Sequence, residues 1–541
     1  MHTTSTESHL VMKHIKLIAI LLFTAFCAIA VISQPSALAQ LNDRTQNPNV
    51  ANFGIAKSLT EQIGSGTGNW STPDSSSFII ARDPFRAIRR GRQLFQRKFL
   101  RSQGQGPLAN DGVGDININL SFGAGISDSC AGCHGRPRGA AGVGGDVVTR
   151  PDSRDAPHLF GIGLKEMLAD EITTDLRLIR SQAINEWRLT HRATSKVLLS
   201  KGIEYGSIII RDDGQIDTSQ VRGVNPDLRV RPFFAHGAKI SIRESAIGAF
   251  NEEMGLQSVD ADLMRAHNGA RITTRSGMQL DGSSDQIEAP PTDAATDDPD
   301  HDGITNEIPA SLVDFMEFYL LNYFKPALYQ QTQVTEHGRR LFVRSGCAGC
   351  HIPDLQINRD RRVADVETVF DQERGIFNNL FATASPLFDT VNDHLGFSAL
   401  KQPRLQPFLV QNIFADLKRH DVGPNFYERN FDGTTRTEFL TMPLWGVGST
   451  GPYGHDGRSI TLREVILRHG GEAQAARSAF AGLSSEQQER VISFLNSLVI
   501  FPPDDTASNL DPGNRSAFNF PQFGHGSIKL SVLFNNPNDP E

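Results

Sequence analysis

The pattern of apolar and polar positions predicts a chain built mainly from helices. One group of apolar residues recurs at steps of three, seven and four, which keeps the group on one helical face; it comprises Phe85, Ile88, Phe95 and Phe99. Asp83-Pro84 precedes this group, and a capping side chain followed by proline is a typical helix start. Two further apolar runs, 311–324 and 485–499, stop shortly before prolines and are predicted to be helices. Ser484 and Gln487 have the spacing of a capping box at the start of the second run.

Both ends of the chain are predicted to lie outside the helical core. Residues 1–39 have the pattern of a signal peptide, because two lysines precede the apolar run 17–32, and Ala37 and Ala39 suit cleavage. The apolar run is shorter than the roughly 20 residues needed to span a bilayer. We therefore expect export to the periplasm without a stable membrane span. Beyond the signal peptide we expect an extended arm at 40–78 and a wrapping tail at 501–541.

Composition excludes some partners. The chain has 541 residues, a net charge of -8 and 21% charged residues, which is ordinary for a globular protein. A length of this kind allows about two to four domains. No basic run interleaved with aromatic residues appears, so nucleic acid is not expected as a partner.

The cysteines are concentrated in two short motifs. Cys27 lies in the predicted signal peptide, and the other four form C-x-x-C-H at 130–134 and 347–351. This spacing attaches haem c, since two thiols add to the haem vinyl groups and the adjacent histidine binds iron. Zinc is the alternative, but neither motif has the second C-x-x-C of a zinc site. We predict two covalently bound haem c groups, attached through Cys130, Cys133, His134, Cys347, Cys350 and His351.

The two motifs belong to a longer internal repeat. Each half contains a G-R-x-L-F helix with its haem motif, a segment that begins with proline and ends in G-x-G, a second helix and a closing apolar helix. These segments begin at residues 91, 157, 237 and 311 in the first half and at 338, 443, 457 and 485 in the second. The repeat predicts two tandem cytochrome c-like haem domains, 79–328 and 329–500. Long loop insertions are expected at 164–236 and 352–441.

The register of the repeat distinguishes the two haem sites. His469 falls opposite Ala249, and alanine has no atom that can bind iron. The second haem is therefore expected to be closed by His351 and His469. The first is expected to have His134 and an open face for peroxide or oxygen. A surface histidine near a helix end is the alternative interpretation of His469.

Two glutamates follow Ala249. Cleavage of an O–O bond at an open haem needs a group that moves a proton. Glu252 and Glu253 stand three and four residues after Ala249 and so share its helical face. Glu253 is the preferred acid/base, with Glu252 next. A solvated pair at a helix end is the alternative.

An acidic loop lies between the two halves. Asp298, Asp300 and Asp302 stand at alternate positions, a glycine comes next, and Asn306 follows. Oxygen ligands at this spacing wrap a hard cation such as calcium. Pro309 occupies the position where an EF-hand loop has its last glutamate, and a solvated acidic linker is the alternative.

These motifs resemble those of the bacterial di-haem cytochrome c peroxidase superfamily, and more closely its di-haem oxidoreductase (thiol oxidoreductase) branch. The resemblance rests on the two C-A-G-C-H motifs, residues 250–255, the loop 298–307 and residues 442–473. It implies an electron-entry haem in the second half and a peroxidatic haem in the first. It also implies a glutamate as acid/base and calcium between the domains.

The chain departs from the peroxidase pattern at three places. His469 stands where the typical peroxidase has methionine, which predicts a lower reduction potential for that haem. Residues 135–155 contain no match to the histidine that blocks the resting peroxidatic haem in many members. The inter-haem tryptophan of the family appears as Phe233-Phe234, whereas Trp445, expected to contact haem, lies in the second half.

We therefore predict an exported di-haem oxidoreductase of peroxidase type. A small redox protein or a quinol-linked donor would reduce the second haem, and the first would reduce hydrogen peroxide or another small oxidant. Oxidation of a protein or organic substrate by high-valent haem is one alternative, as in the tryptophylquinone-forming and rubber-cleaving relatives. A non-enzymatic electron carrier is another alternative, and in such a carrier neither iron would have an open coordination position. The protein is expected as a monomer or a homodimer.

Overall fold

The computed structural model describes residues 58–106, 127–134, 146–147, 154–322, 327–328, 331–370, 380–430 and 433–499. Contacts group the chain into two units, Met1–Asn47 and Pro48–Glu541, and every described residue lies in the second. The predicted signal peptide, the arm before residue 58 and the tail after residue 500 lie outside the described residues.

Helices occur along the whole described chain. The α-helices are α1 Leu59–Ile63, α2 Ser76–Arg82, α3 Pro84–Gln96, α4 Cys130–His134, α5 Ile162–Thr190, α6 Ile242–Met254, α7 Ala261–His267, α8 Ala310–Asn322, α9 Gln333–Arg344, α10 Leu462–Arg468, α11 Gln474–Ala481 and α12 Ser485–Asn496. Short 3-10 helices lie at Arg101–Gln103, Cys347–Gly349, Pro424–Phe426, Val447–Ser449 and Gly471–Ala473. Within these described ranges, none of the helices combines the length and apolar character required to cross a bilayer.

The strands are short and antiparallel. They are β1 Asp146–Val147, β2 Arg154–Asp155, β3 Thr194–Ser200, β4 Ile203–Ile210, β5 Ile216–Asp217, β6 Arg271–Thr273, β7 Gln279–Asp281, β8 Ala327–Leu328, β9 Leu355–Ile357, β10 Ala364–Phe370, β11 Leu380–Pro386, β12 Phe388–Val391, β13 Leu400–Pro403, β14 Phe408–Val410, β15 Arg419–Asp421, β16 Glu428–Arg429, β17 Thr435–Arg436, β18 Glu438–Leu440 and β19 Leu498–Val499. Each pairs in a two-stranded sheet except β3, β4 and β5, which form one sheet of three strands.

The expectation of a mainly helical fold with loop insertions is confirmed only in part. The insertion 164–236 is not a loop, because it contains most of α5 and the sheet β3-β4-β5. Buried isoleucines alternate with more exposed residues along β4, which suits one face of a sheet packed on the core. The insertion 352–441 contains the strands β9 to β18, paired two by two. The fold therefore combines helices with many small sheets.

The prediction of an extended arm is wrong for its described part. Helix α1 and the start of α2 fall within residues 58–78. Ser58 and Glu61 form a capping box: the Ser58 N–H donates to Glu61 Oε2 at 2.7 Å, and the Glu61 N–H donates to Ser58 Oγ at 3.2 Å. The box satisfies two backbone donors at the helix start, which favours a helix in a polar segment.

The predicted helix starts are confirmed. Asp83 Oδ1 accepts a hydrogen bond from the Arg86 N–H at 3.2 Å, and Pro84 is the first residue of α3. Ser484 and Gln487 form the expected capping box of α12. Helix α12 ends earlier than predicted, since β19 follows it and pairs with β8. The predicted last residues of the other closing helix, α8, lie outside the described residues.

Each half is built on a close crossing of two helices. Helix α3 packs on α8, and α9 packs on α12. A Cβ atom at Gly91 would collide with the backbone oxygen of Phe315, and one at Gly338 would collide with that of Arg490. Only glycine permits the crossing at these two positions. The glycine of the repeated G-R-x-L-F segment thus makes the same contact in both halves.

A second shared feature is the start of the repeat helices α6 and α10. The N–H of Glu244 donates to Ser241 Oγ at 3.1 Å, and that of Glu464 donates to Thr461 Oγ1 at 3.1 Å. In both cases the glutamate side chain returns to the backbone N–H of the isoleucine before the capping residue. These geometries support the repeat register. Two separate cytochrome c-like domains remain a prediction.

Helix α6 is tied to α8 by a buried ion cluster. Arg243 is only 1% exposed, and its guanidinium binds Asp260 at 2.6 Å, Asp314 at 2.9 Å and Glu317 at 3.2 Å. A buried arginine is tolerated when carboxylates surround it in this way. The cluster holds α6 where its carboxyl-terminal end reaches the first C-x-x-C-H motif.

Candidate haem sites

The first C-x-x-C-H motif forms the short helix α4. His134 Nδ1 lies 2.8 Å from the backbone oxygen of Pro157. A carbonyl oxygen only accepts, so Nδ1 carries the proton and Nε2 keeps its lone pair. Burial raises the pKa of the Cys130 thiol to about 12. A half-buried thiol pair beside a histidine whose Nδ1 is held by a carbonyl oxygen fits covalent haem attachment.

The second motif follows α9 and begins with the 3-10 turn Cys347–Gly349. His351 Nδ1 lies 3.0 Å from the backbone oxygen of Phe414, which again leaves Nε2 as the ligand atom. Burial lowers the pKa of His351 to about 4, and the neighbouring His469 acts in the same direction. The ring of Phe342 contacts this imidazole with centroids 6.1 Å apart, and Phe342 packs with Phe414 and Phe494 in one aromatic cluster. The four cysteines of the two motifs form no disulfide.

His469 lies close enough to His351 for its charge to lower the pKa of His351. It is the residue directly after α10, and its Nδ1 lies 2.7 Å from the Val465 oxygen. The ring of Phe426 contacts its imidazole with centroids 5.1 Å apart. Burial lowers the pKa of His469, so the imidazole is held neutral, the form that binds a metal. Both histidines at this site therefore present a neutral Nε2.

The equivalent position in the first half has a different environment. Helix α6 continues through Ala249 to Met254, whereas α10 stops at Arg468. The half-buried Glu252 and Glu253 occupy the last turns of α6. The Glu253 oxygen accepts from the Ser127 N–H at 3.3 Å, and this serine precedes Cys130 by three residues. The structure therefore brings the predicted acid/base pair beside the first haem motif.

Trp445 lies nearer to the first site than its sequence position suggests. Its side chain is 3% exposed and packs in the apolar cluster that joins most buried residues of the first half to buried residues of the second. Two residues that the sequence did not assign lie beside it: His158, next to His134, and Lys165, whose ammonium lies 4.0 Å from Met442 Sδ. Burial lowers the pKa of His158 to about 3 and that of Lys165 to about 8. Segment 442–445 thus packs beside His158 and Lys165 at the first site.

A second group that sequence reasoning missed surrounds Cys350. His420 Nε2 lies 2.8 Å from Asp416, and its Nδ1 lies 2.8 Å from Glu472 and 4.0 Å from Cys350 Sγ. Burial opposes charging of His420, but the hydrogen bond to Asp416 outweighs it and raises the pKa to about 11. Both ring nitrogens face carboxylates, which favours the charged form of this imidazole next to the second motif. The Arg-His-Asp sequence around His420 is typical of a loop turn, so the sequence did not indicate this group. Its partner Glu472 lies 52 residues from His420.

The acidic loop is assembled as its spacing predicts. Ligand atoms of Asp298, Asp300 and Asp302 lie within 4.8 Å of one another. Asn306 Oδ1 accepts a hydrogen bond from the Val259 N–H at 3.1 Å and joins the loop to the segment after α6. Calcium binding by these residues remains a prediction.

The residues of both sites suit haem, and one comparison with known proteins supports haem as a cofactor. Residues 354–498 match the model of the family described as "Di-haem oxidoreductase, putative peroxidase". The match begins just after His351 and includes His420, Trp445 and His469. It confirms the resemblance for this segment and supports oxidoreductase activity with haem as cofactor.

Other comparisons add little. No curated protein matches the chain. Among solved structures, hydrazine synthase of Kuenenia stuttgartiensis, pressurised with 20 bar xenon, matches at 15% identity and a TM-score of 0.21. The match covers 35% of this chain and 55% of the hydrazine synthase chain. This chain therefore spans little more than half the length of that chain. Such a likeness defines neither the fold nor the function of this protein.

Proposed function

We propose that the protein is an exported, periplasmic di-haem c oxidoreductase that reduces hydrogen peroxide. Electrons enter at the second site, between His351 and His469, and leave at the first site, beside His134. A small redox protein or a quinol-linked donor supplies them. The match of residues 354–498 to a di-haem oxidoreductase family supports the coarse class.

The observation that carries the proposal is the contrast between positions 469 and 249. The same capped helix precedes both, yet one helix ends in a histidine beside His351 and the other continues through alanine. His351 and His469 would hold a haem at the second site, and a haem held by two imidazoles would suit electron transfer. A site with one imidazole and an alanine opposite leaves a position for a small oxidant.

The chain's own residues have distinct tasks in this reaction. Reduction of hydrogen peroxide to two waters consumes two electrons and two protons, and haem supplies the redox-active iron. Glu253 moves protons at the peroxide oxygens, since it is held by its backbone next to Ser127 and the first motif. We assign Trp445 to the electron route between the sites, because its buried indole belongs to the segment that contacts His158.

Electron paramagnetic resonance of the oxidised protein tests this division. We expect two haem groups per chain, one low-spin and one high-spin, with only the high-spin signal changing when peroxide is added. The expectation follows from two strong axial imidazoles at one iron and one at the other. Two low-spin signals that ignore peroxide would instead indicate an electron carrier and would contradict the proposal.

A further inference from the structure

Lys165 is a buried cation without a charged partner. It lies near the start of α5 and is 5% exposed. Its ammonium group is 4.0 Å from Met442 Sδ and 5.8 Å from the centroid of the Phe233 ring. Burial lowers the pKa of Lys165 to about 8, and no carboxylate among the residues that the structure describes opposes this shift.

These two contacts do not explain why a lysine is buried here. A thioether sulfur is a weak acceptor, and the face of a phenylalanine ring attracts a cation less strongly than a carboxylate does. An ammonium group loses its hydration when it is buried, so lysines are almost never fully buried unless they are paired. The position therefore calls for an anion that the described residues do not contain.

A second buried donor lies in the same place. Trp445 is 3% exposed, and its Nε1–H has no acceptor within the described part of the chain. An indole N–H usually finds a partner when it is buried. The imidazole of His158 borders both groups, since the Trp445 backbone contacts it, while burial and the Lys165 charge both lower its pKa. Two donors thus lack an acceptor, and one of them is charged.

The position of these donors indicates which anion they bind. His158 directly follows Pro157, whose backbone oxygen holds His134 Nδ1 at 2.8 Å. The donors therefore lie beside the ligand histidine of the first haem motif. Haem carries two propionate carboxylates, and a carboxylate enclosed by protein needs donors or a cation. A haem at this motif would bring the missing anion with it.

We propose that the Lys165 ammonium group and the Trp445 indole N–H together bind a carboxylate, and that a propionate of the first haem supplies it. A free small carboxylate is the other source of the same chemistry. A positive charge beside haem favours the reduced iron, which carries one positive charge less than the oxidised iron. Lys165 therefore raises the reduction potential of the first haem. This role requires haem at the first site but does not depend on peroxide as the oxidant.

The test compares haem-loaded, full-length wild type with Lys165→Met and Lys165→Arg in a buffer free of carboxylates. Methionine approximates the length of lysine without its charge. Lys165→Met should lower the ratio of reduced to oxidised iron of one haem per chain on the order of tenfold at a fixed potential, measured by spectroelectrochemistry. It should also unfold several degrees below wild type, because a buried carboxylate loses its partner. Lys165→Arg keeps the charge and should retain the wild-type potential.

Lys196→Met is the matched control. Lys196 pairs with Glu186 at 2.7 Å, and Glu186 lies near the other end of α5, about 30 Å from Lys165 along the helix axis. This variant removes the same charge from the first half of the chain. It should leave the potentials of both haems unchanged, because charges so far apart are screened.

Added acetate separates the two sources of the carboxylate. With a propionate in place, acetate should change neither the potential nor the unfolding temperature of wild type. If acetate instead raises the unfolding temperature of wild type but not of Lys165→Met, the carboxylate site is supported and the propionate is overturned as its source.

One result would overturn the site itself. It is a Lys165→Met protein that keeps the wild-type potentials and unfolds at the wild-type temperature or above, with and without acetate. Removal of an unpaired buried charge stabilises a fold, so the direction of the change distinguishes an unpaired lysine from a paired one. Peroxide reduction enters neither measurement, so this result is separate from a failure of the proposed function.

Discussion

Replacing His469 by alanine is expected to convert one haem per chain from low-spin to high-spin. The imidazole of His469 is held by the Val465 oxygen beside His351, so its removal leaves the second iron with one strong axial ligand. The whole low-spin signal of the oxidised protein should disappear, and reduction by an external donor should slow. Electron paramagnetic resonance and stopped-flow absorbance measure the two effects.

Two further variants make this result specific. His469→Met should keep the low-spin signal and raise the midpoint potential, because histidine–methionine ligation gives a higher potential than two histidines. His394 is exposed in the connection between β12 and β13, and His394→Ala should leave the spectrum unchanged. An unaltered low-spin signal in His469→Ala would refute the ligand assignment.

Replacing Glu253 by glutamine is expected to lower the rate of peroxide reduction by about 10²–10⁴-fold, the usual contribution of a general acid/base. Glutamine has nearly the same shape but cannot exchange a proton at neutral pH. Haem content and both spin states should be unchanged, because the backbone contact from Ser127 to Glu253 is preserved. Steady-state peroxide consumption with a reduced small redox protein measures the rate.

The neighbouring glutamate provides a matched comparison. Glu252→Gln should lower the rate much less than Glu253→Gln, and Glu204→Gln, exposed on β4, should not lower it. A wild-type rate in Glu253→Gln would contradict the assigned role of this residue.

Features that depend on neighbours in sequence were predictable. The start of α3 follows from Asp83-Pro84, and the capping box of α12 follows from Ser484 and Gln487. The pairing of His469 with His351 was also accessible, since the repeat supplies a second copy in which the position is alanine. Such features depend on a few adjacent residues, or on the alignment of two repeated segments.

Features that depend on distant partners were not predictable. The carbonyl groups that orient His134 and His351 belong to Pro157 and Phe414, 23 and 63 residues away. Backbone oxygens are present at every residue, so no pattern marks these two. The partner of His420 Nδ1, Glu472, likewise lies 52 residues away along the chain.

The sheets in the insertions were missed for a related reason. Strands β9 and β14 pair although about fifty residues separate them, and each has only three residues. A run of three residues carries too little alternation to predict a strand. The long helix α5 was missed because its apolar residues are spread over both faces, as expected for a helix covered by β3 and β4.

The most direct test of the central claim is the stoichiometry of reoxidation by hydrogen peroxide. One molecule of peroxide takes two electrons, and each haem of the fully reduced protein holds one that it can give. Anaerobic titration followed by absorbance should therefore return both haems to the oxidised state with one equivalent of peroxide per chain. A reduced second haem that persists in excess peroxide, or a protein that peroxide leaves fully reduced, would contradict electron flow from the His351–His469 site to the His134 site.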